Sequence, residues 1–241
     1  MQIGLVGMPY SGKSTLFQLL KGDEESGGAS SSGEVLLGSA IVPDQRIDFL
    51  SSFYNPKKTT YARISFKDIP GARMDDGKSR AARLLDEVRS ADALVQVIRA
   101  FDTDEVNQIA GKPDPYLELT GYGADLLLAD IDVLEKRIER IESATKSKKE
   151  DQEQLQLLRK LLNALEKEQL ISSLELTARE KELLAGQYFL SEKPLVVVIN
   201  IDENQLRVGN YPEKEKIEAY GAEKGISIIE ICAPAEIEIG R

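Results

Sequence analysis

A glycine-containing segment near the amino end has the residue types and spacing of a phosphate-binding loop. Gly7, Gly12 and Lys13 are followed by Ser14 and Thr15, which gives the pattern G-x-x-x-x-G-K-[ST]. Glycines let the backbone approach phosphate groups closely, and the positive end of a following helix attracts the same charge. We expect Lys13 to reach the β and γ phosphates as a catalytic residue, and the Ser14 hydroxyl to bind Mg²⁺. The residues predicted to bind nucleotide here are Pro9, Tyr10, Ser11, Gly12, Lys13, Ser14 and Thr15.

A second candidate on the phosphate side is the tetrapeptide Asp68-Ile69-Pro70-Gly71, which follows an apolar run. An acidic residue at the carboxyl end of a strand can hold a metal ion, and we therefore predict Asp68 as a metal ligand. The backbone N–H of Gly71 is predicted to meet the γ phosphate and to act in catalysis. Alone, D-x-x-G also fits an ordinary turn. Ala72 stands where many GTPases place the glutamine that orients water, so slow intrinsic turnover is expected.

The segment Asn200-Ile201-Asp202-Glu203 is the candidate for base recognition. Guanine-selective proteins with such a loop carry N-K-x-D here, and the aspartate accepts two hydrogen bonds from guanine. Glu203 replaces that aspartate, and its extra methylene moves the carboxylate by more than about 1 Å, which spoils a bidentate geometry. We predict Asn200, Ile201 and Glu203 at the base, with Asp202 pointing elsewhere. A backbone N–H at Ala233 is a weaker candidate, and the whole segment also fits a polar strand end without a role in base choice.

Composition excludes several other chemistries. The chain of 241 residues has 31 Lys and Arg against 41 Asp and Glu, a net charge of −10, which argues against DNA binding through a bulk positive field. Histidine is absent and Cys232 is the single cysteine, so a disulfide framework, Cys-rich zinc sites and histidine-assisted nucleophiles are excluded. No apolar stretch approaches about 18 residues and no signal-peptide pattern is present, so we expect a cytoplasmic protein without a membrane span.

Apolar runs rich in Val and Ile predict the strands that position these residues. The runs lack polar alternation, as expected of strands buried on both faces of a parallel sheet. The phosphate-binding segment directly follows the first run and precedes a short helix with leucines on one face. We therefore predict an α/β protein with the P-loop NTPase fold and a mainly parallel sheet. The runs are Gln2–Val6, Ala62–Phe66, Ala93–Ile98, Leu195–Ile199 and Ile226–Ile231.

An antiparallel coiled-coil arm is predicted to interrupt this sheet domain. Two leucine- and isoleucine-rich segments with heptad spacing are separated by the polar stretch Ala144–Glu150. Thr177 and Glu180 have the spacing of a capping box, which predicts a third helix. The predicted nucleotide-binding domain covers 1–124 and 191–241, and the insertion covers 125–190. The Gly- and Ser-rich segment Asp23–Glu34 is predicted to be a mobile loop. The heptad positions are Leu127, Ile131, Leu134, Ile138 and Ile141, then Leu155, Leu158, Leu162 and Leu165.

With these motifs in order, the sequence resembles the YchF family of the Obg-related P-loop NTPases over nearly its whole length. The resemblance implies a nucleotide-binding domain interrupted by a coiled coil, a preference for ATP over GTP, and association with ribosomes. It is carried by the phosphate loop, DIPG, VPDQR at 42–46, ADALVQVIRAF at 91–101, AGKPDP at 110–115, KPLVVVINIDE at 193–203 and ICAPAEIEI at 231–239.

Three departures limit what the resemblance implies. Family members typically have an asparagine where Tyr10 stands, and that asparagine can help hold K⁺, so use of K⁺ is uncertain. Members offer a threonine to Mg²⁺ from the first switch, and spacing places Ser32 there as the metal ligand. Members also continue into a C-terminal TGS domain, which these residues lack.

Three functions fit these observations. The main hypothesis is a monomeric ATP-hydrolysing switch with a ribosomal partner. The first alternative is a GTPase of the same architecture. The second is a binding module that acts through its helical arm, where Lys146, Lys148 and Lys149 either contact RNA phosphates or form a solvated turn. Arg73 and Arg80 are candidate arginine fingers, although solvated side chains are the simpler interpretation.

Overall fold

The computed structural model describes residues 1–21, 35–70, 85–143 and 149–239. The chain divides into two compact units. The first unit contains Met1–Pro115 and Leu195–Arg241, and the second contains Tyr116–Pro194.

The first unit is built on a six-stranded sheet in the order β2-β3-β1-β4-β5-β6. All neighbouring pairs are parallel except β2 and β3, which are antiparallel. This confirms the predicted α/β fold with a mainly parallel sheet. Leu5, Val97 and Ile199 are completely buried at its centre. The strands are β1 (Gln2–Val6), β2 (Leu36–Ile41), β3 (Arg63–Asp68), β4 (Ala93–Arg99), β5 (Leu195–Asn200) and β6 (Ser227–Ile231).

The edge strand β2 was not predicted from the sequence. Gly38 and Ser39 interrupt its apolar residues, and a strand at the sheet edge needs less apolar surface than a central one. Gly38 packs under Phe17, since a Cβ atom at Gly38 would lie 2.9 Å from the Phe17 ring. Strand β2 therefore packs closely against the Phe17 ring at Gly38, a contact that leaves no apolar run in its sequence.

Helices follow the strands of this unit along the chain. Helix α1 begins directly after the predicted phosphate loop and buries Leu16 and Phe17. The helices of this unit are α1 (Lys13–Lys21), α2 (Gln45–Tyr54), α3 (Asp104–Ala110), α7 (Glu203–Val208), α8 (Lys214–Lys224) and α9 (Ala233–Ile239), with a further helical segment at 85–90.

The second unit has its own apolar core between two long helices and the segment 166–194 that follows them, which we call the returning segment. Its helices are α4 (Pro115–Glu142), α5 (Lys149–Leu165) and α6 (Ala178–Leu183), with a 3₁₀ turn at Ile171–Ser173. Leu134 and Leu158 are fully buried, as the heptad spacing predicted. Leu157 and Leu161 also lie in this core, whereas the predicted seam ran through Leu155 and Leu162. The buried face of α5 is wider than a two-helix seam because α5 also packs against Ile171, Leu184 and Phe189.

Polar contacts fix the returning segment of the second unit. The predicted capping box is confirmed: the Thr177 backbone N–H donates to Glu180 Oε2 at 2.8 Å, and Glu180 N donates to Thr177 Oγ1 at 3.2 Å. The buried carboxylate of Asp130 accepts three hydrogen bonds, from Leu190 N, Ser191 N and Ser191 Oγ, at 2.7–2.9 Å. Across the described parts of the chain, no helix combines the length and the apolar character that a membrane crossing requires.

Candidate nucleotide-binding site

The glycines of the phosphate loop are required by the strands behind the loop. Gly7 has φ 141°, and a Cβ atom there would lie 2.3 Å from the Val97 carbonyl oxygen of β4. Gly12 has φ 92°, and its Cβ would lie 2.1 Å from Asn200 Nδ2 at the end of β5. Both distances are far shorter than a van der Waals contact, and both φ values disfavour a side chain. The loop can therefore follow β1 this closely only with glycine at these positions.

The side chain of Lys13, the first residue of α1, is hydrogen-bonded to the backbone of the phosphate loop. Its side chain is buried, and Nζ donates a hydrogen bond to the Met8 carbonyl oxygen at 2.9 Å. An ammonium group has three protons to donate, and it is a strongly attractive partner for a phosphate oxygen. The contact with Met8 positions the cation at the loop, where the predicted role in phosphate binding requires it.

Ser14 and Asp68 form the part of the site that suits a magnesium ion. Ser14 Oγ donates to Asp68 Oδ2 at 2.7 Å, although 54 residues separate them in the sequence. Asp68 is 5% exposed, and its other oxygen, Oδ1, is buried without a hydrogen-bond partner among the described residues. Magnesium takes oxygen ligands, and it often binds through one or two carboxylates together with substrate phosphates. A hydroxyl beside an unsatisfied carboxylate oxygen fits that ion.

Asn200 joins the base side of the site to the phosphate side. It is the last residue of β5 and pairs in register with Arg99 of β4. Its Nδ2 donates to the Ser11 carbonyl oxygen at 3.1 Å, across 189 residues of sequence. The Asn200 Oδ1 and the Ser11 hydroxyl are buried without a hydrogen-bond partner in the described parts of the chain. This contact fixes the end of β5 to the loop that precedes α1.

The other predicted base residues lie where β5 and β6 lead into helices. Ile201 is almost fully buried, and its backbone N–H donates to Ile231 O at 2.8 Å. Glu203 is exposed at the start of α7, and Ala233 is buried at the start of α9. Their contact with a base stays a prediction.

Asp202 and Gln205 form a helix cap that was not predicted from the sequence. Asp202 Oδ1 accepts from Gln205 N at 2.9 Å, and Gln205 Oε1 accepts from Asp202 N at 3.0 Å, which caps α7. Gln205 Nε2 also donates to Ala100 O at 2.8 Å. The signal was present as D-x-x-Q, the spacing of a capping box. These bonds fix the start of α7 and therefore the backbone that carries Glu203.

Some of the remaining predicted residues lie in the described parts of the chain, and others lie outside them. Tyr10 is half exposed and has φ 66°, a left-handed conformation that is uncommon for an aromatic residue. Pro9 is partly buried and Thr15 is exposed. Ser32 and Gly71 lie outside the described residues, as do Ala72, Arg73, Arg80, Lys146 and Lys148.

Comparison with known proteins places this geometry in a family. The chain is 33% identical over 242 residues to the ribosome-binding ATPase YchF of Bacillus subtilis, covering 98% of this chain and 66% of that protein. It is 32% identical over 241 residues to the protein of the same name from Haemophilus ducreyi, with the same two shares. This chain belongs to the YchF family. The resemblance drawn from its motifs is confirmed, and the chain spans about two thirds, 66%, of the length of these curated relatives. No protein-family model matches it.

A solved YchF structure has the same fold. The structure of the Schizosaccharomyces pombe YchF GTPase superimposes with a TM-score of 0.83 at 27% sequence identity. The match covers 100% of this chain and 67% of the yeast chain. The fold of both units therefore has a counterpart in an experimentally determined YchF protein.

Proposed function

We propose that this YchF-family chain binds ATP, hydrolyses it slowly as a molecular switch, and associates with ribosomes. One observation carries the proposal. Lys13, Ser14 and Asn200 each make one side-chain contact in the site. Together these contacts connect the glycine loop to the carboxyl ends of β3 and β5. In open α/β sheets, ligands bind outside the carboxyl ends of the strands.

The phosphate side of the site suits a triphosphate. The backbone of the loop and the start of α1 supply N–H groups, and Lys13 supplies a positive charge. Ser14 and Asp68 would hold Mg²⁺, which when bound neutralises charge on the phosphates. The protein thus contributes positioning and charge stabilisation, which are the main components of catalysed phosphoryl transfer.

Base choice rests on Glu203. A glutamate carries its carboxylate one methylene further from the backbone than an aspartate, so it is poorly placed for the paired hydrogen bonds that select guanine. Asp202 and Gln205 cap the start of α7 and restrict the backbone from which Glu203 extends. The backbone therefore cannot easily shift to compensate for the longer side chain of Glu203. We therefore propose ATP as the preferred nucleotide.

Slow turnover is expected because the sequence lacks the side chains that usually activate or orient the attacking water. Histidine is absent from the chain, and Ala72 follows the tetrapeptide that ends at Gly71. A side chain that orients the attacking water is therefore missing at the position where many GTPases have glutamine. Hydrolysis of this kind suits a switch whose γ-phosphate contacts, through Gly71 and Ser32, change when the phosphate leaves.

Ribosome association is proposed from the relatives. The Bacillus subtilis and Haemophilus ducreyi proteins are both named as ribosome-binding ATPases. Because this chain spans about two thirds of their length, the partner is a proposal for this chain.

The alternative function is GTP hydrolysis on the same fold. The Schizosaccharomyces pombe protein is described as a GTPase, and its structure superimposes on this one with a TM-score of 0.83. That name is the reason to consider GTP as the substrate. Glu203 argues against this alternative here. A direct comparison of the two nucleotides decides between them.

The proposal is tested by replacing the lysine that the loop positions. Lys13→Ala should lower turnover of Mg·ATP at least 100-fold, because it removes the positive charge that stabilises the transferred phosphate. Phosphate release is the measurement. Lys21→Ala is the matched control, since Lys21 is the last residue of the same helix and should leave turnover unchanged. Equal turnover by Lys13→Ala and the wild type would refute the assignment of this site.

A further inference from the structure

Helix α2 exposes an unusual amount of aromatic surface. None of its residues is buried. Phe49, Leu50, Phe53 and Tyr54 are between 51% and 72% exposed. Residues 49 and 53, and residues 50 and 54, are each one helical turn apart, so the four side chains lie on one side of the helix. We call these four residues the aromatic stripe.

The aromatic stripe is ordered by contacts that leave it exposed. The rings of Phe49 and Phe53 are stacked with centroids 6.4 Å apart, and Phe53 meets Tyr54 edge to face at 4.9 Å. The helix itself is held by polar residues outside the stripe. Asp44 caps its start by accepting from Arg46 N at 2.9 Å, and Ser51 Oγ lies 2.6 Å from Thr59 Oγ1. The rings are therefore presented on a helix that is fixed at both ends.

The charge beside the aromatic stripe is positive in a chain that is acidic overall. No Asp or Glu occurs from Phe49 to Lys67, although the chain has 41 of them and a net charge of −10. Lys57 and Lys58 follow the stripe after Asn55 and Pro56, and both are exposed. Neither forms an ion pair within the described residues, whereas Arg46 is paired with Asp44 at 2.7 Å. Two exposed lysines without an ion pair among the described residues thus lie within four residues of Tyr54 in the sequence.

This combination favours nucleic acid over protein as the partner. Aromatic residues are common in protein interfaces, but lysine is depleted from them. Unpaired RNA bases stack on Phe and Tyr side chains, while lysine contacts the phosphates between them. Self-association is disfavoured by size, because four side chains that are 51–72% exposed offer about 500 Å², against about 800 Å² for each partner of a stable interface.

We propose that the aromatic stripe, with Lys57 and Lys58, is a docking surface for single-stranded RNA. Bases of an unpaired segment stack on Phe49, Phe53 and Tyr54, and the two lysines contact its phosphates. The inference rests on the proposed ribosome association, and it identifies exposed ribosomal RNA as the chemical partner of this face. The nucleotide site is not part of the surface.

Binding is tested with a fluorescein-labelled 12-nucleotide oligo(U) by fluorescence anisotropy, using the whole chain. Phe53→Ala should weaken binding about 5- to 150-fold, the range for losing one base stacked on an aromatic ring. Tyr188→Ala is the matched control, since Tyr188 is 68% exposed in the second unit and should have no effect. ATP turnover by Phe53→Ala should equal that of the wild type, which shows that the variant is folded.

The lysines are tested through the salt dependence of the same binding. Replacing Lys57 and Lys58 together by alanine should reduce the slope of log K against log salt by about 1.4, because each phosphate contact on a single strand contributes about 0.7. The matched control replaces Lys112 and Lys181, which are also exposed. An unchanged slope would overturn the phosphate contacts.

Co-sedimentation with purified ribosomes separates this inference from the proposed function. The inference predicts that Phe53→Ala weakens both ribosome association and oligo(U) binding. Ribosome association that is lost in Phe53→Ala without any oligo(U) binding by the wild type would indicate a ribosomal protein and overturn the RNA assignment. A wild-type dimer that Phe53→Ala dissociates would also overturn it. Ribosome association that Phe53→Ala leaves intact would refute the docking surface while the proposed function stands.

Discussion

Gly12 shows how a single residue determines whether the phosphate loop can form. Gly12→Ala would place a Cβ atom 2.1 Å from Asn200 Nδ2 at a residue with φ 92°. We expect loss of the bond from Asn200 to Ser11, at least tenfold weaker ATP binding, and destabilisation of about 2–4 kcal/mol. Calorimetric titration and thermal unfolding measure the two effects.

The control for Gly12 is Gly111. It also has a positive φ, 76°, but no heavy atom lies within 4 Å of its added Cβ. Gly111→Ala therefore isolates the backbone strain, about 1–3 kcal/mol because its ψ of 177° lies in a region almost exclusive to glycine, and it should bind ATP like the wild type. If Gly12→Ala behaves like Gly111→Ala, crowding against Asn200 does not explain the glycine.

Individual residues of the site were predictable where a local motif marks them. Lys13, Ser14 and Asp68 follow from G-x-x-x-x-G-K-[ST] and D-x-x-G, because the chemistry of a phosphate loop restricts the residue types. The bond from Asn200 to the Ser11 carbonyl was not predictable, since 189 residues separate the two and only the register of the strands brings them together. The left-handed backbone of Tyr10 has no sequence signal either, because aromatic residues rarely adopt it.

Within the second unit, the buried carboxylate of Asp130 connects helix α4 to the returning segment. Asp130→Ala would leave the donors Leu190 N, Ser191 N and Ser191 Oγ without their acceptor. Buried donors without partners cost about 1–3 kcal/mol each, so we expect a loss of about 3 kcal/mol or more in the free energy of unfolding. Urea unfolding measures it.

Asp132 provides the comparison on the same helix. It is exposed and pairs with Lys136 one turn away at 2.6 Å. Such surface pairs contribute about 0.3–0.5 kcal/mol, so Asp132→Ala should have a small effect. Equal losses for the two variants would contradict the anchoring role of Asp130.

The capping box of α6 predicts a dependence of stability on pH. The hydrogen bond from Lys160, with those from Thr177, lowers the pKa of Glu180 from its ordinary 4.5 to about 2. A carboxyl whose pKa is lowered on folding stabilises the folded state above its unfolded pKa, and this stabilisation is lost as the pH falls through the folded pKa. Stability from Glu180 should therefore be complete above about pH 5 and decline toward pH 2.

Glu180→Gln tests this dependence. The stability difference between wild type and variant, measured by chemical unfolding, should shrink as the pH falls from 5 to 2. Glu175→Gln removes a matched exposed charge and serves as the control. A difference that is constant over this range would show that the ionised form of Glu180 is not stabilised by folding.

At the level of elements, the sequence predicted every strand of the described sheet except the edge strand β2. The runs that became β1, β4 and β5 are mostly apolar because these strands are covered on both faces. The edge strand β2 has no such run. The heptad pattern found α4 and α5 but missed Leu157 and Leu161, because α5 packs against the returning segment as well as α4. Such additional partners leave no signal in local spacing.

The whole molecule combines a nucleotide site on the first unit with a helical unit that has a separate core. The chain spans 66% of the length of its curated relatives. Names within the family differ, since bacterial members are called ATPases and the yeast structure is called a GTPase. The identity of the nucleotide is therefore the property on which the proposed function of this chain depends most.

Calorimetric titration of the intact chain with ATP and with GTP, each with Mg²⁺, measures that property directly. Glu203 at the capped start of α7 predicts that ATP binds more tightly than GTP. A dissociation constant for GTP about tenfold lower than that for ATP, equivalent to about 1.4 kcal/mol, would contradict the account.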